Sequence, residues 1–324
     1  MNTHTSMSET IVAPRFSVII PCWNAAKTLH DTLDSLRAQS FTNWEALVVD
    51  DGSTDETLSI INDYCSRDGR FRALSTNRKG PSAARNLAGL SVARGRYLAF
   101  LDSDDLWKTE KLAHTQLFLD AKPNVDAVYA QIAFFRLSHL KPETFSTVYD
   151  RPLKPIDFLR DNPVCTMSNL IIKAEVFQRH TGFDETIVHN EDVEFLVRAT
   201  ANGACIDGMN ENLVSYRTSL TGLSADLGKM RAGWYKAVDT LQNTPARLSP
   251  QEIAAADAGN LRYLARRALR TGAPGFEALH MAMQGLARSP RSFFSPLWRG
   301  GMTLLGAVVA PFLPQSIRKL AFSR

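Results

Sequence analysis

Short apolar runs and amphipathic stretches alternate along the first hundred residues. Residues 16–20 are apolar at Phe16, Val18, Ile19 and Ile20 and end at Pro21, which predicts a buried strand with a hard stop. Over 24–39 the apolar positions Leu29, Leu33 and Leu36 recur at helical spacing. Residues 44–49 read as a second strand, 57–66 as a helix burying Leu58, Ile61 and Tyr64, and 71–74 as a third strand. Residues 83–93 read as a helix with Leu87 and Leu90 turned inward, and 97–101 as a strand buried on both faces.

Four strand–helix alternations predict a parallel sheet with helices on both sides, which binds ligands beyond the carboxyl ends of its strands. The pattern then loosens. Strands are expected over 125–135 and 169–173, with proline-punctuated loops between them, and a helix runs from Asn190 to about Asn202. Further helices are expected over 232–241, 252–270 and 276–287. In the second of these Leu261, Leu264, Ala265 and Leu269 form the inner stripe.

Composition narrows the class. The 324 residues are 44% hydrophobic and 22% charged, which calls for a packed core. A net charge of +4 is too small to argue for nucleic acid. No acid follows Glu277, whereas Arg288, Arg291, Arg299, Arg318, Lys319 and Arg324 do. Four scattered cysteines suggest neither a disulfide framework nor a zinc site and fit a reducing, cytoplasmic setting. The polar first fourteen residues lack the apolar stretch of a leader, and no window is apolar enough to span a membrane.

Two predicted strand ends carry acids: Asp50-Asp51-Gly52-Ser53 and Asp102-Ser103-Asp104-Asp105. Crowded carboxylates suit a Mg²⁺ or Mn²⁺ ion holding a phosphate, although Asp-Gly-Ser is also ordinary turn chemistry and Asp104 or Asp105 could cap a helix. Arg85 sits early in a helix, where the dipole disfavours a cation, so it either faces an anionic ligand or lies on the surface. Glu191 and Asp192 open a helix, a natural place for acids and also for a base, with His189 beside them reading as a surface histidine.

The ordered set of Val18-Ile19-Ile20-Pro21 with Asn24, then Val48-Val49-Asp50-Asp51-Gly52-Ser53-Thr54-Asp55, is followed by Gly80 with Ala83-Ala84-Arg85-Asn86. Leu101-Asp102-Ser103-Asp104-Asp105 and Gly182-Phe183-Asp184-Glu185 with Glu191-Asp192 complete it. Together these resemble the nucleotide-sugar glycosyltransferases of family 2. The resemblance implies an α/β fold of the GT-A type, a Rossmann-like, mostly parallel sheet flanked by helices, with a C-terminal helical extension. It divides the chain into a loose tail (1–14), a catalytic domain (15–224, nucleotide half 15–105 and acceptor half 106–224), a helical extension (225–288) and a basic, apolar tail (289–324).

By the same resemblance, Pro21, Asn24, Asp50, Asp51, Arg85 and Asp102 hold the nucleotide. Asp104 with Asp102 holds Mn²⁺ or Mg²⁺, and Asp192, or its neighbour Glu191, is the base. Asp105, Trp107, Arg198, Tyr216 and Arg217 are candidate sugar or acceptor contacts. The family's metal-shell histidine after a Tyr-Arg pair has no counterpart, since Tyr216-Arg217 is followed by Thr218-Ser219-Leu220. The Q-x-x-R-W motif of processive synthases is also missing, which argues for single additions.

The implied reaction moves a sugar, with inversion, from a UDP-linked donor to a hydroxyl of a glycan or lipid-linked glycan in surface polysaccharide synthesis. No nucleic acid is involved. The rivals are a sugar-phosphate nucleotidyltransferase and a non-catalytic nucleotide-sugar-binding protein. The cationic, aromatic tail suggests attachment to an anionic membrane surface, on the inner face of the cytoplasmic membrane; a basic lid on the catalytic domain is the alternative.

Overall fold

The computed structural model describes residues 13–136, 139–218, 226–314, 317–318 and 322. Most of the expected N-terminal tail, residues 219–225 and much of the chain's last ten residues lie outside that set. Among the described residues, nine strands form one sheet in the order β3-β2-β1-β4-β8-β6-β9-β5, with β7 pairing β6 at the side. The first strands, β1 (Phe16–Cys22), β2 (Trp44–Asp50), β3 (Phe71–Ser75) and β4 (Tyr97–Phe100), are all parallel. β1 lies between β2 and β4, so the chain reverses its direction of winding there, the place where sheets of this kind bind ligands beyond the carboxyl ends of their strands.

Two cores explain why these strands are buried on both faces. On one side α1 (Leu29–Arg37), α2 (Thr57–Arg67) and α4 (Lys111–Ala121) pack Leu33, Ile61 and Leu112 against Val18 and Ile20. On the other, α3 (Pro81–Asn86), α6 (Ala174–Arg179) and α7 (Glu191–Ala201) pack Ala84, Phe177 and Phe195 against Ile19, Leu98 and Phe100. Pro21 lies past the last pairing with β4, Ile19 with Phe100, so its missing N–H removes nothing from that ladder.

The second half of the sheet is mixed. β8 (Ile171–Lys173) runs antiparallel to β4 and to β6 (Ala127–Arg136), β6 is parallel to β9 (Ile206–Arg217), and β5 (Leu106–Trp107) is antiparallel to β9. Neither β9 nor β7 (His139–Phe145) is evident from the pattern of residues. β9 shifts register against β6 around Gln131, which breaks the alternation by which a strand is read. β7 carries Pro142 and holds only the edge of the sheet, the place where a strand tolerates proline.

Several predicted elements differ in detail. The helix expected from 24 starts at Leu29, because Asn24 takes a left-handed backbone (φ 48°) and bonds to the next loop. The helix expected over 83–93 is α3 followed by a wider π-helical turn, Leu87–Val92. That turn rotates Ala88 and Gly89 inward and leaves Leu90 exposed, and a side chain at position 89 would sit 2.9 Å from the Phe177 ring. On α2, Ile60 takes the inward place expected of Leu58, which is exposed.

The helices after residue 226 pack directly on the elements before them. α5 (Pro155–Arg160) meets α8 (Leu227–Gln242) through the buried Trp234, whose indole N–H donates to the Leu159 carbonyl at 2.8 Å. Gly233 lies so close to the His189 carbonyl that an added Cβ would come within 1.9 Å of it. α9 (Pro250–Thr271) starts with a capping box between Ser249 and Glu252 and packs on α5 and α10 (Gly275–Arg288). α11 (Pro290–Phe293) and α12 (Leu297–Val309) close this bundle around Phe293.

Candidate functional site

The acids at the carboxyl ends of β2 and β4 converge on the crevice beside β1. Cys22, the last residue of β1, marks the meeting point: its thiol pKa is pushed up by burial and then by Asp50, with Ser103 bonded to it and Asp102 nearby. Asp50 accepts from the Ser53 amide and shapes the turn. Asn24 joins the loops after β1 and β2, its side-chain oxygen accepting from the Thr54 amide at 2.8 Å and its own amide donating to Ser53 at 3.0 Å. Asp51 is buried and accepts from the Thr76 hydroxyl at 2.6 Å, the Lys79 amide at 2.8 Å and the Gly80 amide at 2.7 Å. It therefore fixes the segment leading into α3, the helix that carries Arg85.

Arg85 is 5% exposed and sits at the centre. One terminal nitrogen donates to Asp102 at 2.6 Å and the other to Glu191 at 3.0 Å, tying the β4 turn to the start of α7. The guanidinium stands over the Phe183 ring, and its buried Nε has no hydrogen-bond partner among the described residues. Asn86, next along the chain, exchanges hydrogen bonds with the Phe183 backbone and so presses the Gly182-Phe183 turn onto α3. Gly182 is required there: φ is +66°, and a Cβ would lie 2.3 Å from the Asn86 side-chain oxygen.

The carboxylates divide by environment. Asp102 spends one oxygen on Arg85 and the other on the Thr166 hydroxyl at 3.0 Å, whereas the Asp104 carboxylate takes no side-chain partner among the described residues. Burial, and then Asp102, lift the Asp104 pKa to about 6. Glu191 is lifted to about 7 by burial, although it shares Arg85. The acids hold Arg85 charged while Glu191 is drawn toward neutral, because one bond shared with Asp102 does not offset the loss of water around the carboxyl. Asp192 is also raised by burial and accepts from the Asn162 side chain at 3.1 Å.

Five residues offered as sugar or acceptor contacts have structural partners instead. Asp105 is fully enclosed, accepting from the Ser168 hydroxyl and, at 2.9 Å, from the Arg217 amide, and burial raises its pKa well above the ordinary range. Trp107 is buried with its indole N–H on the Ser168 carbonyl at 2.8 Å. The Arg198 guanidinium is bonded to Glu194 and to the carbonyls of His180 and Gly182. Arg217 clamps the acidic turn from behind by donating to the Asp104 carbonyl at 2.7 Å. Tyr216 packs edge-on against Phe134. His189 is buried rather than on the surface.

Other residues of the cleft carry no motif. Thr166, Ser168 and Asn162 come from a proline-rich stretch without periodicity, and nothing in the pattern marks them. Trp23 is half-exposed at the end of β1 with the Arg78 guanidinium 3.9 Å over its ring. A tryptophan two positions after the proline that stops the first predicted strand is the signal that could have found it.

The chain's residues 17–181 match the model of glycosyl transferase family 2. It belongs to that family. An uncharacterized glycosyltransferase of Rickettsia felis is 38% identical over 255 residues, 77% of this chain and 41% of that protein. The Escherichia coli glucosyltransferase WfaP, named for a UDP-Glc donor and a GlcNAc-diphosphoundecaprenol acceptor, is 41% identical over 107 residues, 33% of this chain and 41% of that protein. The chain thus spans about two fifths of the length of these curated relatives.

Among solved structures, Staphylococcus aureus TarS 1–349 with UDP-GlcNAc superposes with a TM-score of 0.60 at 18% identity, covering 89% of this chain and 92% of that one. The Pyrobaculum calidifontis mannosyltransferase PcManGT, bound to GDP-Man and Mn²⁺, gives 0.59 at 21% identity, covering 93% and 88%. At such identities the likeness establishes the family 2 fold, GT-A, over nearly the whole described chain.

Proposed function

We propose that this family 2 protein transfers a sugar, with inversion, from a UDP-sugar to a hydroxyl of a glycan or lipid-linked glycan during surface polysaccharide assembly. The observation that carries the proposal is the Arg85 bridge. It draws Asp102 and Glu191 into one cleft, with the open Asp104 carboxylate on one side and Asp192 on the other. WfaP and TarS, whose names and complexes specify UDP-sugars, support the choice of donor. An acceptor borne on lipid would be met at the surface of an anionic membrane.

The nucleotide would lie along the ends of β1 and β2, its base between Trp23 and the Asp51 turn, near Pro21, Asn24 and Asp50. A divalent ion fits the donor set in one way. No group of three or more His, Cys, Asp and Glu side chains among the described residues can hold it alone, so Asp104 would bind it together with the donor's diphosphate. Asp102, engaged by Arg85 and Thr166, would support from behind. When bound, the ion supplies positive charge to the departing diphosphate.

Asp192, held by Asn162, would take the acceptor hydroxyl's proton as that oxygen bonds to the sugar's C1 and the C1–O bond to phosphate breaks on the opposite face. A raised pKa makes its carboxylate a better base than an exposed one. The test is a donor screen with Mn²⁺ or Mg²⁺ that follows release of free nucleoside diphosphate. Release from a UDP-sugar, lost in Asp192→Asn, supports the reading. Nucleotide binding without turnover on any donor or acceptor would replace it with a binding role. Pyrophosphate release from NTP and sugar phosphate would replace it with nucleotidyl transfer.

A further inference from the structure

Helix α12 turns small residues inward and large ones outward. Gly300, Thr303, Gly306 and Ala307 are buried, whereas Trp298, Met302 and Leu305 are 64%, 63% and 58% exposed and Phe312 is 83% exposed. The outer residues recur every three or four positions, so they form one stripe. Core helices do the reverse and bury their bulk. A Cβ on Gly300 would lie 2.6 Å from the Phe293 carbonyl, so close backbone contact fixes the helix in this orientation. Phe276 extends the stripe: it is 72% exposed and lines a hollow together with Pro311.

The chemistry of this surface selects its occupant. Between Arg299 and Arg318 the sequence has no charged residue. Met302, Leu305 and Phe312 offer no hydrogen-bonding side chain, and the one polar group of the stripe, the Trp298 indole N–H, suits the boundary between headgroups and hydrocarbon. Protein interfaces of ordinary size carry about one hydrogen bond per 100–200 Å²; hydrocarbon asks for none. Arg291 precedes the stripe, Arg299 directly follows its first residue and Arg318 lies beyond it, with no acid after Glu277. At 1.5 Å per residue the 13 residues of α12 reach about 20 Å, short of the ~30 Å hydrocarbon core, and no helix among the described residues is long and apolar enough to cross a membrane. Such a helix lies in the plane of a membrane surface.

We propose that the outer face of α12, continued by Phe276 and Phe312, docks flat on an anionic lipid surface, with the exposed Arg291 meeting headgroup phosphates. Arg299 is an electrostatic neighbour of Cys165, which in turn neighbours Asp192, so the docked face borders the acceptor side of the cleft. That last link rests on the transferase reading; the docking does not.

The test is co-sedimentation of the full chain with phosphatidylcholine vesicles, with and without phosphatidylglycerol. The variant Trp298→Ser/Met302→Ser/Leu305→Ser and the variant Arg291→Gln are run alongside. Binding to the anionic vesicles is expected, with at least a ~10-fold weaker association for the triple variant and a smaller loss, confined to anionic vesicles, for Arg291→Gln. The melting temperature and the release of UDP from donor should not change. Wild type remaining in the supernatant, or a triple variant that binds like wild type, overturns the proposal. So does a dimer, seen by light scattering, that the triple variant dissolves while vesicle binding is absent throughout; the face would then belong to a second copy. Failure to turn over donor, with vesicle binding intact, would count against the transferase reading alone.

Discussion

Replacing Glu191 with glutamine should stabilise the folded protein at alkaline pH, although it removes half of the Arg85 bridge. Burial lifts the Glu191 pKa from its ordinary 4.5 to about 7 even with Arg85 3.0 Å away. At one unit per 1.4 kcal/mol, the ionised form costs about 3 kcal/mol more than the neutral one inside the fold. A pKa raised by folding contributes stability that is complete below pH ~4.5 and is lost as the pH climbs through about 7. Glutamine has the neutral form's shape and never ionises. The variant should therefore match wild type at pH 4 and exceed it by up to about 3 kcal/mol at pH 8. With a urea slope of about 2–3 kcal/mol per molar, that is a midpoint raised by about 1 M. Urea titrations of both proteins at the two pH values, read by fluorescence, decide it. An equal or lower midpoint for Glu191→Gln at pH 8 would show that the charge pair with Arg85 outweighs burial, and the account of the site's electrostatics would fail.

Other outcomes follow from the same geometry. Asp192→Asn should lower sugar transfer by about 10²–10⁴-fold, the usual worth of a general base, and leave the KM for donor within about twofold; steady-state kinetics check both. Asp104→Asn should abolish the stimulation of nucleotide binding by Mn²⁺. In wild type that stimulation should fade as the pH drops through about 6, where the Asp104 carboxylate takes up its proton; calorimetric titrations across pH 5 to 8 test this. Gly182→Ala combines a left-handed backbone with a 2.3 Å clash against Asn86 and should cost about 2–4 kcal/mol by chemical denaturation.

The parallel half of the sheet was legible because its strands are continuous apolar runs punctuated by turns, and both acidic turns fall at strand ends as that pattern requires. β9 was not, because its register shifts and its polar residues Asn210 and Glu211 mask the alternation. At the site, residues that share a short turn with the open carboxylate misled: Asp105 lies one position from Asp104 yet points into the protein. Sequence adjacency says nothing about which way a side chain leaves a turn. Arg198 lies nearly two helical turns beyond Asp192 and spends its guanidinium on Glu194, one turn before it. Asn162, Thr166 and Ser168 belong to a segment whose shape depends on long-range bonds, so no local signal announces them.

Asp51 holds three protein hydrogens on a carboxylate that can accept about four. Little capacity is left for a visitor, so a nucleobase would find one acceptor position at most, already aimed by the polypeptide around it. Reading the base and keeping the entrance to α3 in order would then be a single task for one side chain. An engineer who alters this residue to accept another nucleotide would also loosen the support of Arg85, and a switch of donor would call for compensating changes at residues 76–80.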